Sequence, residues 1–502
     1  MNLPRQLYSA EQVRALDRTA IERFNTPGIQ LMEKAGAATF SSLLKRWPHT
    51  QRITVFCGAG NNGGDGYVIA RLAHEQGLTA VVYLLADVTR LKGDAKLAYD
   101  KLQQAAVPIK PFVGSLDEPC DVIVDALLGT GISGDVKDHW QVAIELINRT
   151  RAMSHCHVVA VDIPSGLHAD TGRVLGTAVN ADLTVTFIGV KQGLLTGEGP
   201  DYGGEVLFDD LGVDAKVYEQ VESSASRITH DDIATLLLPR KRCAHKGDHG
   251  HVLIIGGNKG MAGAARMAGE AALRSGAGLV SVAARPEHVA AIVSTRPEIM
   301  CHGVESKDQL KPLLNKANCI AVGPGLGQDP WAQQLLSAAL EATIPLVLDA
   351  DALNLLALEP LTRSNWVLTP HPAEAGRLLQ MSTAQVQQDR FAAVSNLQSR
   401  YGGVAVLKGC GTLVCVAEND IALCDAGNPG MATAGMGDVL TGVLAGLIAQ
   451  TNGAQLNNLS AAARAAVYVH ATAADLASID HGERGLLATD LLPYIRYLVN
   501  PA

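Results

Sequence analysis

The run Asn428-Pro429-Gly430-Met431-Ala432-Thr433-Ala434-Gly435-Met436-Gly437-Asp438 combines free backbone amides with a single carboxylate, and an apolar stretch follows at once. Val439, Leu440, Val443, Leu444, Leu447 and Ile448 fall at helical spacing, which predicts a buried helix opening at about Gly437. Glycines at a helix mouth let N–H groups converge on an anion, and the helix dipole adds positive potential. A carboxylate there repels phosphate unless it has a task, and the task that fits is general base. It would take a proton from a hydroxyl that attacks a phosphoryl group. A favourable first-turn Asp is the plainer account of the same residue. Lys408-Gly409-Cys410-Gly411-Thr412, upstream, puts a lysine and backbone amides where a nucleotide phosphate would bind, and the two segments together point to a site.

Other residues of this kind stand where strands end. In the first half, apolar strands are expected at 53–57, 80–85, 121–129, 157–166, 181–189 and 205–210, with helical patterns at 66–76, 94–105 and 138–151. Strands apolar throughout and separated by helices predict a parallel sheet covered on both faces, with ligands beyond the carboxyl ends of its strands. The first strand runs into Gly58-Ala59-Gly60-Asn61-Asn62-Gly63-Gly64-Asp65-Gly66, a glycine loop suited to close backbone approach. Asp125 and Gly129-Thr130-Gly131 close the third strand, and Asp162 and Ser165 close the fourth. Carboxylates and an asparagine at neighbouring strand ends offer oxygen ligands to a hard cation; capping of the next loop is the alternative for each residue singly.

GNNGGDG, DALLGTG and VDIPSG, in this order and spacing, resemble the NAD(P)H-hydrate epimerase family, also called the YjeF N-terminal domain. The resemblance implies a Rossmann-like fold that binds a hydrated nicotinamide dinucleotide. It places the phosphates and sugar on Asn61, Asn62, Gly63, Gly64 and Asp65 and on Gly129, Thr130, Gly131, Ile132, Ser133, Gly134 and Asp135. Asn62, Asp125 and Ser165 would bind potassium, and Asp162 would face the hydrated ring as its acid–base group. Lys191 stands where a second polar contact is expected, a solvated strand-end lysine being the other reading.

The second half begins a new α/β series: strands at 251–257, 278–284, 319–327, 344–353, 365–374 and 404–416, and helices at 262–276, 438–449 and 459–478. This predicts another mainly parallel sheet with helices on both sides. Asp349 and Asp351 flank Ala350, and His371 sits between two prolines that restrict its backbone, either as a presented ligand or as a packed loop residue. GPGLG, DADALN, TPHPAE, LKGCGT and GNPGMATAGMGD together resemble the ADP-dependent NAD(P)H-hydrate dehydratase family, which has a ribokinase-like fold. By that resemblance Ala264, Gly327, His371 and Asp438 contact the hydrated dinucleotide, while Lys408, Gly409, Cys410, Gly411, Thr412 and Gly437 contact the adenine nucleotide. The motifs themselves do not select ADP over ATP.

The resemblances imply repair of NADH hydrate and NADPH hydrate. One domain would interconvert the R and S epimers, and the other would dehydrate the S form at the expense of ADP, releasing AMP and phosphate. Mg2+ is expected with the ADP. A small-molecule kinase fused to a dinucleotide-binding module is the competing reading, because the same cradle and base suit a vitamin or sugar kinase.

Length and composition agree with this plan. A chain of 502 residues holds at least two domains. We expect an epimerase part at 1–218, a linker at 219–235, where the apolar pattern weakens into serine and charge, and a dehydratase part at 236–502. Apolar content of 47% with 4% aromatic residues and 50 glycines suits α/β layers with tight turns. A net charge of −9 disfavours nucleic acid or a membrane surface as partner. Nine scattered cysteines without a C-x-x-C pair predict reduced thiols, and no signal-peptide core or spanning run is seen, so a cytoplasmic protein is expected. Homo-oligomerisation is also expected.

Overall fold

The computed structural model describes residues 3–418, 420–451 and 455–500, which divide into two compact units, Met1–Ser226 and Arg227–Ala502. In the first unit seven strands form one parallel sheet: β1 Arg52–Cys57, β2 Thr79–Leu84, β3 Ile109–Pro111, β4 Val122–Ala126, β5 His157–Val161, β6 Leu183–Phe187 and β7 Glu205–Asp209. Their order is β3-β2-β1-β4-β5-β6-β7, and every neighbouring pair is parallel. The inner strands β1, β4, β5 and β6 are almost wholly buried, as their apolar runs require in a parallel sheet covered on both faces. The chain order reverses between β1 and β4, the place where such sheets open a crevice. Register aligns Phe56 with Asp125 and Asp125 with Ala160, so Asp125 and Asp162 reach the same edge of the sheet.

The NNGGD residues are not a loop: helix α1 runs Asn61–Glu75, so they form its first turns and the connecting loop is shortened to Gly58–Gly60. An N-terminal strand, Gln6–Tyr8, and helices Ala10–Arg23 and Gly28–Arg46 precede β1. Ser9 opens the first of these helices with a reciprocal capping box to Gln12.

The second unit holds β8 His251–Ile255, β9 Leu279–Ala284, β10 Met300–Gly303, β11 Cys319–Val322, β12 Leu346–Leu348, β13 Trp366–Leu368, β14 Val404–Leu407, β15 Thr412–Ala417 and β16 Asp420–Cys424. The order β10-β9-β8-β11-β12-β13-β14-β15-β16 is parallel through β14 and ends in two antiparallel steps. The stretch 404–416, expected as one strand, is thus two strands that turn back at Lys408–Gly411. Two helices, α2 Ala262–Arg274 and α4 Met436–Gln450, lie against each other so closely that a Cβ on Gly442 would stand 2.1 Å from the Ala268 carbonyl oxygen. Alanine and glycine dominate this contact because larger side chains would force the helices apart.

Residues 219–235 are more ordered than a linker reading implies, for strand Ala225–Arg227 and helix His230–Ala234 lie within them. Among the described residues no helix is long and apolar enough to cross a membrane, and all nine cysteines are free thiols.

Candidate active sites

At the switch point of the first unit, Asn62, Asp125 and Ser165 converge on one backbone position. Asn62 Nδ2 donates to the Leu128 carbonyl at 3.2 Å, while the Leu128 N–H donates to Ser165 Oγ at 2.8 Å. Ser165 in turn donates its hydroxyl to Asp125 Oδ1 at 2.6 Å and its N–H to Asp125 Oδ2 at 2.8 Å. Asp125 is fully buried, and burial raises its carboxyl to about 6 although Ser165 and the Leu127 N–H pull it down. Asn62 Oδ1 is buried with no hydrogen-bond partner. An orphaned acceptor beside a buried carboxylate fits a cation, because leaving either unmet costs free energy.

Asp162 takes a left-handed backbone, φ 67°, at the end of β5. Its carboxylate receives the Lys191 ammonium, the Thr186 hydroxyl at 3.3 Å and the Phe187 N–H at 3.2 Å. Lys191 is 1% exposed and also donates to the Phe187 carbonyl at 3.1 Å, so the reading of it as a solvated strand-end lysine is set aside. Two further carboxylates share the field of this pair. Burial pushes Asp65 well up, with Asp162 and Asp17 adding to it. Asp17, on helix Ala10–Arg23, is raised to about 6 by burial, against the pull of Lys191. The sequence reading missed Asp17; only its place on an amphipathic helix marked it. Gly129 lies against Asn62 and Thr130 accepts from Arg14, whereas Gly131, Ser133, Gly134 and Asp135 are exposed and Ile132 is half-buried.

In the second unit the strand ends meet on Asp349, which follows β12. This buried carboxylate accepts from Lys408 Nζ at 2.7 Å, Thr369 Oγ1 at 2.9 Å and Thr441 Oγ1 at 2.8 Å. Gly323, φ 131°, permits this, since a Cβ there would stand 1.9 Å from the Asp349 carbonyl oxygen. A Cβ on Gly437 would come within 3.3 Å of Lys408 Nζ and 3.4 Å of Asp349 Oδ2, so the ion pair lies directly against the glycine mouth of α4. Burial works against the Lys408 charge, but Asp349, Glu374 and Asp438 outweigh it and raise the ammonium above its ordinary value. Asp438 is raised to about 7, first by burial, then by Asp349 and Asp351, against the pull of Lys408. A carboxylate poised near neutrality is what a general base needs.

The surrounding loops are braced from behind. Arg390, 1% exposed, donates to the carbonyls of Leu407, Lys408 and Gly411, and burial lowers it to about 10. With those carbonyls engaged by Arg390, the loop around Gly409, Cys410 and Thr412 is anchored from its inner side. Asp475 receives the Gly427 N–H and the Asn428 amide, each at 2.9 Å, and so steadies the start of the GNPG segment. Neither Arg390 nor Asp475 was legible as a site residue, because both sit on helices remote from the motifs.

His371 has a structural task in its loop. It caps helix α3, Pro372–Leu379, with Nδ1 accepting from Ala373 and Glu374, while Glu374 accepts from the His371 N–H at 2.8 Å. Burial and Lys408 lower its value, and its Nε2 lies 3.3 Å from Glu374 Oε1, within the same cap. Gly327 donates its N–H to Asp351 at 2.8 Å, and Ala264 lies 3.1 Å from where a Cβ on Gly325 would be. Asp351 therefore links the Gly327 loop to the field at Asp438.

These two edges define the class: a two-unit α/β protein, with a crevice at the switch point of one sheet and a glycine-rich helix mouth beside a buried ion pair in the other. A family model described as YjeF-related protein N-terminus matches residues 28–193, and one described as NAD(P)H-hydrate dehydratase matches residues 252–496. The bifunctional NAD(P)H-hydrate repair enzyme Nnr of Coxiella burnetii is 51% identical over 495 residues, 99% of this chain and 99% of that protein. The enzyme of the same name from Escherichia coli K12 is 42% identical, over 100% of this chain and 95% of its own. A crystal structure of ADP/ATP-dependent NAD(P)H-hydrate dehydratase from Bacillus subtilis, co-crystallised with ATP/Mg2+, covers 54% of this chain and 96% of its own at 30% identity, TM-score 0.48. The chain belongs to the family of bifunctional NAD(P)H-hydrate repair enzymes.

Proposed function

We propose that the first unit interconverts the R and S hydrates of NADH and NADPH, and that the second dehydrates the S hydrate with ADP, giving AMP, phosphate and the reduced cofactor. The reading is supported above all by the Lys408–Asp349 ion pair lying against Gly437, which puts a cation at the helix mouth that carries Asp438. Water leaves a dihydropyridine ring poorly at neutral pH. Asp438 takes the proton from the ring hydroxyl as its oxygen attacks the terminal phosphorus of ADP, and AMP departs. The ring nitrogen's lone pair then expels phosphate, and loss of a proton from the neighbouring ring carbon restores the diene. Lys408 and the Gly435–Asp438 amides meet the charge that builds on the transferring group. The nucleotide is held by Lys408–Thr412 and Gly437, and the hydrated dinucleotide by Ala264, Gly327, His371 and Asp438.

Mg2+ would travel with ADP and neutralise its phosphates. Among the described residues no group of three or more His, Cys, Asp or Glu is gathered as a metal site, which suits an ion that the nucleotide itself coordinates. In the first unit Asn62, Asp125 and Ser165 would hold K+, whose charge compensates a buried carboxylate. The ligand's phosphates and sugar lie along Asn61–Asp65 and Gly129–Asp135, with Asp162 as acid–base group at the ring carbon and Lys191 paired to it. We read residues 1–218 as the epimerase part and 236–502 as the dehydratase part of a cytoplasmic homo-oligomer.

A kinase would leave a stable phosphorylated product; the present reading requires free phosphate. Phosphate release with NADH hydrate and ADP, assayed against Asp438→Asn, tests it, and accumulation of a phosphorylated dinucleotide would refute it.

A further inference from the structure

We propose that Asp349 is a positioning residue for phosphoryl transfer, holding the Lys408 ammonium against the Gly435–Asp438 mouth and setting its own negative charge beside Asp438. Three observations carry this. Asp349 is 1% exposed, and both of its oxygens are engaged: Oδ1 by Lys408 and Thr369, Oδ2 by Thr441. Its backbone is trapped under Gly323, which leaves the side chain little freedom to follow Lys408 elsewhere. Its Oδ2 lies 3.4 Å from where Gly437 would carry a Cβ, so the charge reaches the cradle without occupying it.

Buried ion pairs are a costly way to stabilise a fold, and a hydrophobic replacement often does as well. One that abuts a phosphate cradle has a different use. Pairing keeps the lysine charged and aimed where burial alone would discharge it. A like charge near Asp438 makes that carboxylate hold its proton more tightly, hence act as a stronger base. The charged groups around Asp438 are Asp349 at the end of β12, Lys408 at the end of β14 and Asp351 on helix Ala350–Leu358. Glu374 on α3 and its cap His371 face Lys408, and His470, on helix Leu456–His481, is lowered to about 4 by burial, with Lys408 adding to it. Asp349 alone among these contacts Lys408, Thr369 and Thr441 together.

The inference rests on Asp438 as the base, and the test separates the two. The pH dependence of kcat/KM for the S hydrate reports the free enzyme's base. In Asp349→Asn the acidic limb is expected to move to lower pH, and kcat to fall by about tenfold or more as the base weakens. The KM for ADP should rise, since Lys408 is no longer held charged at the helix mouth. An unmoved limb with near-normal kcat and ADP KM, and only a lower Tm, would overturn the proposal and leave Asp349 structural. Thr441→Val removes a neutral donor and no charge, so its limb should coincide with wild type; a shift equal to that of Asp349→Asn would also overturn it. If Asp349→Asn does not fold, Asp349→Ser, also uncharged and smaller, takes its place in the same comparison. Loss of the base assignment itself would show differently, as near-normal turnover in Asp438→Asn.

Discussion

Ser165 Oγ stands 2.6 Å from Asp125 Oδ1, and the Ser165 N–H reaches the other oxygen of the same carboxylate at 2.8 Å. The two residues come from the ends of adjacent strands, and Asn62 Oδ1 remains unmet. One charged and two neutral oxygen ligands suit a monovalent ion better than calcium or magnesium.

Potassium should therefore raise the Tm of the first unit and support epimerisation. Asn62→Ala is expected to remove most of the K+ dependence of both. A thermal melt in K+ against a bulky organic cation reads the first effect, and identical melts in the two salts would contradict the site.

Asp162→Ala is expected to abolish epimerisation while the accepted epimer is still dehydrated. The buried ammonium of Lys191 loses its partner in that variant, and stranding a buried charge typically costs about 3–5 kcal/mol. Asp162 is partly exposed, so water offsets some of that cost, and Asp162→Asn should melt higher than Asp162→Ala. Equal loss of both activities in a folded variant would contradict separate sites.

Asp438→Asn should stop dehydration, a loss of ~10²–10⁴ in rate, without loosening ADP binding. The sign of its stability effect follows from the raised value. The folded protein holds this proton more tightly than the unfolded chain, so the contribution of Asp438 to stability falls as pH rises from the ordinary carboxylate range through about 7. Above that pH the asparagine variant should melt no lower than wild type. Wild-type kcat/KM should rise with pH through the same region. A lower Tm with near-normal turnover would mark Asp438 as structural.

Arg390→Met removes the donors that pin the carbonyls of Leu407, Lys408 and Gly411. Leaving such buried acceptors unmet costs about 1–3 kcal/mol. The KM for ADP should rise several-fold while epimerisation is unchanged. Equal ADP KM values would show that the turn needs no brace.

The glycine loops, the strand-end aspartates and the poised Asp438 were legible because they lie in short motifs whose chemistry depends on local backbone. Two limits of that legibility have physical causes. Helical periodicity starts where side chains become apolar, so Asn61–Asp65 read as a loop although the helix already begins at Asn61. The 404–416 run was apolar throughout and concealed the reversal at Lys408–Gly411. Asp17, Arg390 and Asp475 act on the sites across long sequence separations, and no pattern in one sequence ties them to the loops they face. Asp349 was visible as a strand-end carboxylate, but its three donors come from three other elements.

The measurement that bears most directly on the account is incubation of mixed R and S NADH hydrates with ADP, followed by dihydronicotinamide absorbance and phosphate together. The account predicts that all the hydrate returns to NADH, with one phosphate released for each molecule recovered. In Asp162→Asn recovery should stop once the S epimer is spent, and in Asp438→Asn neither signal should rise. A phosphorylated dinucleotide that accumulates without return of absorbance would contradict the account.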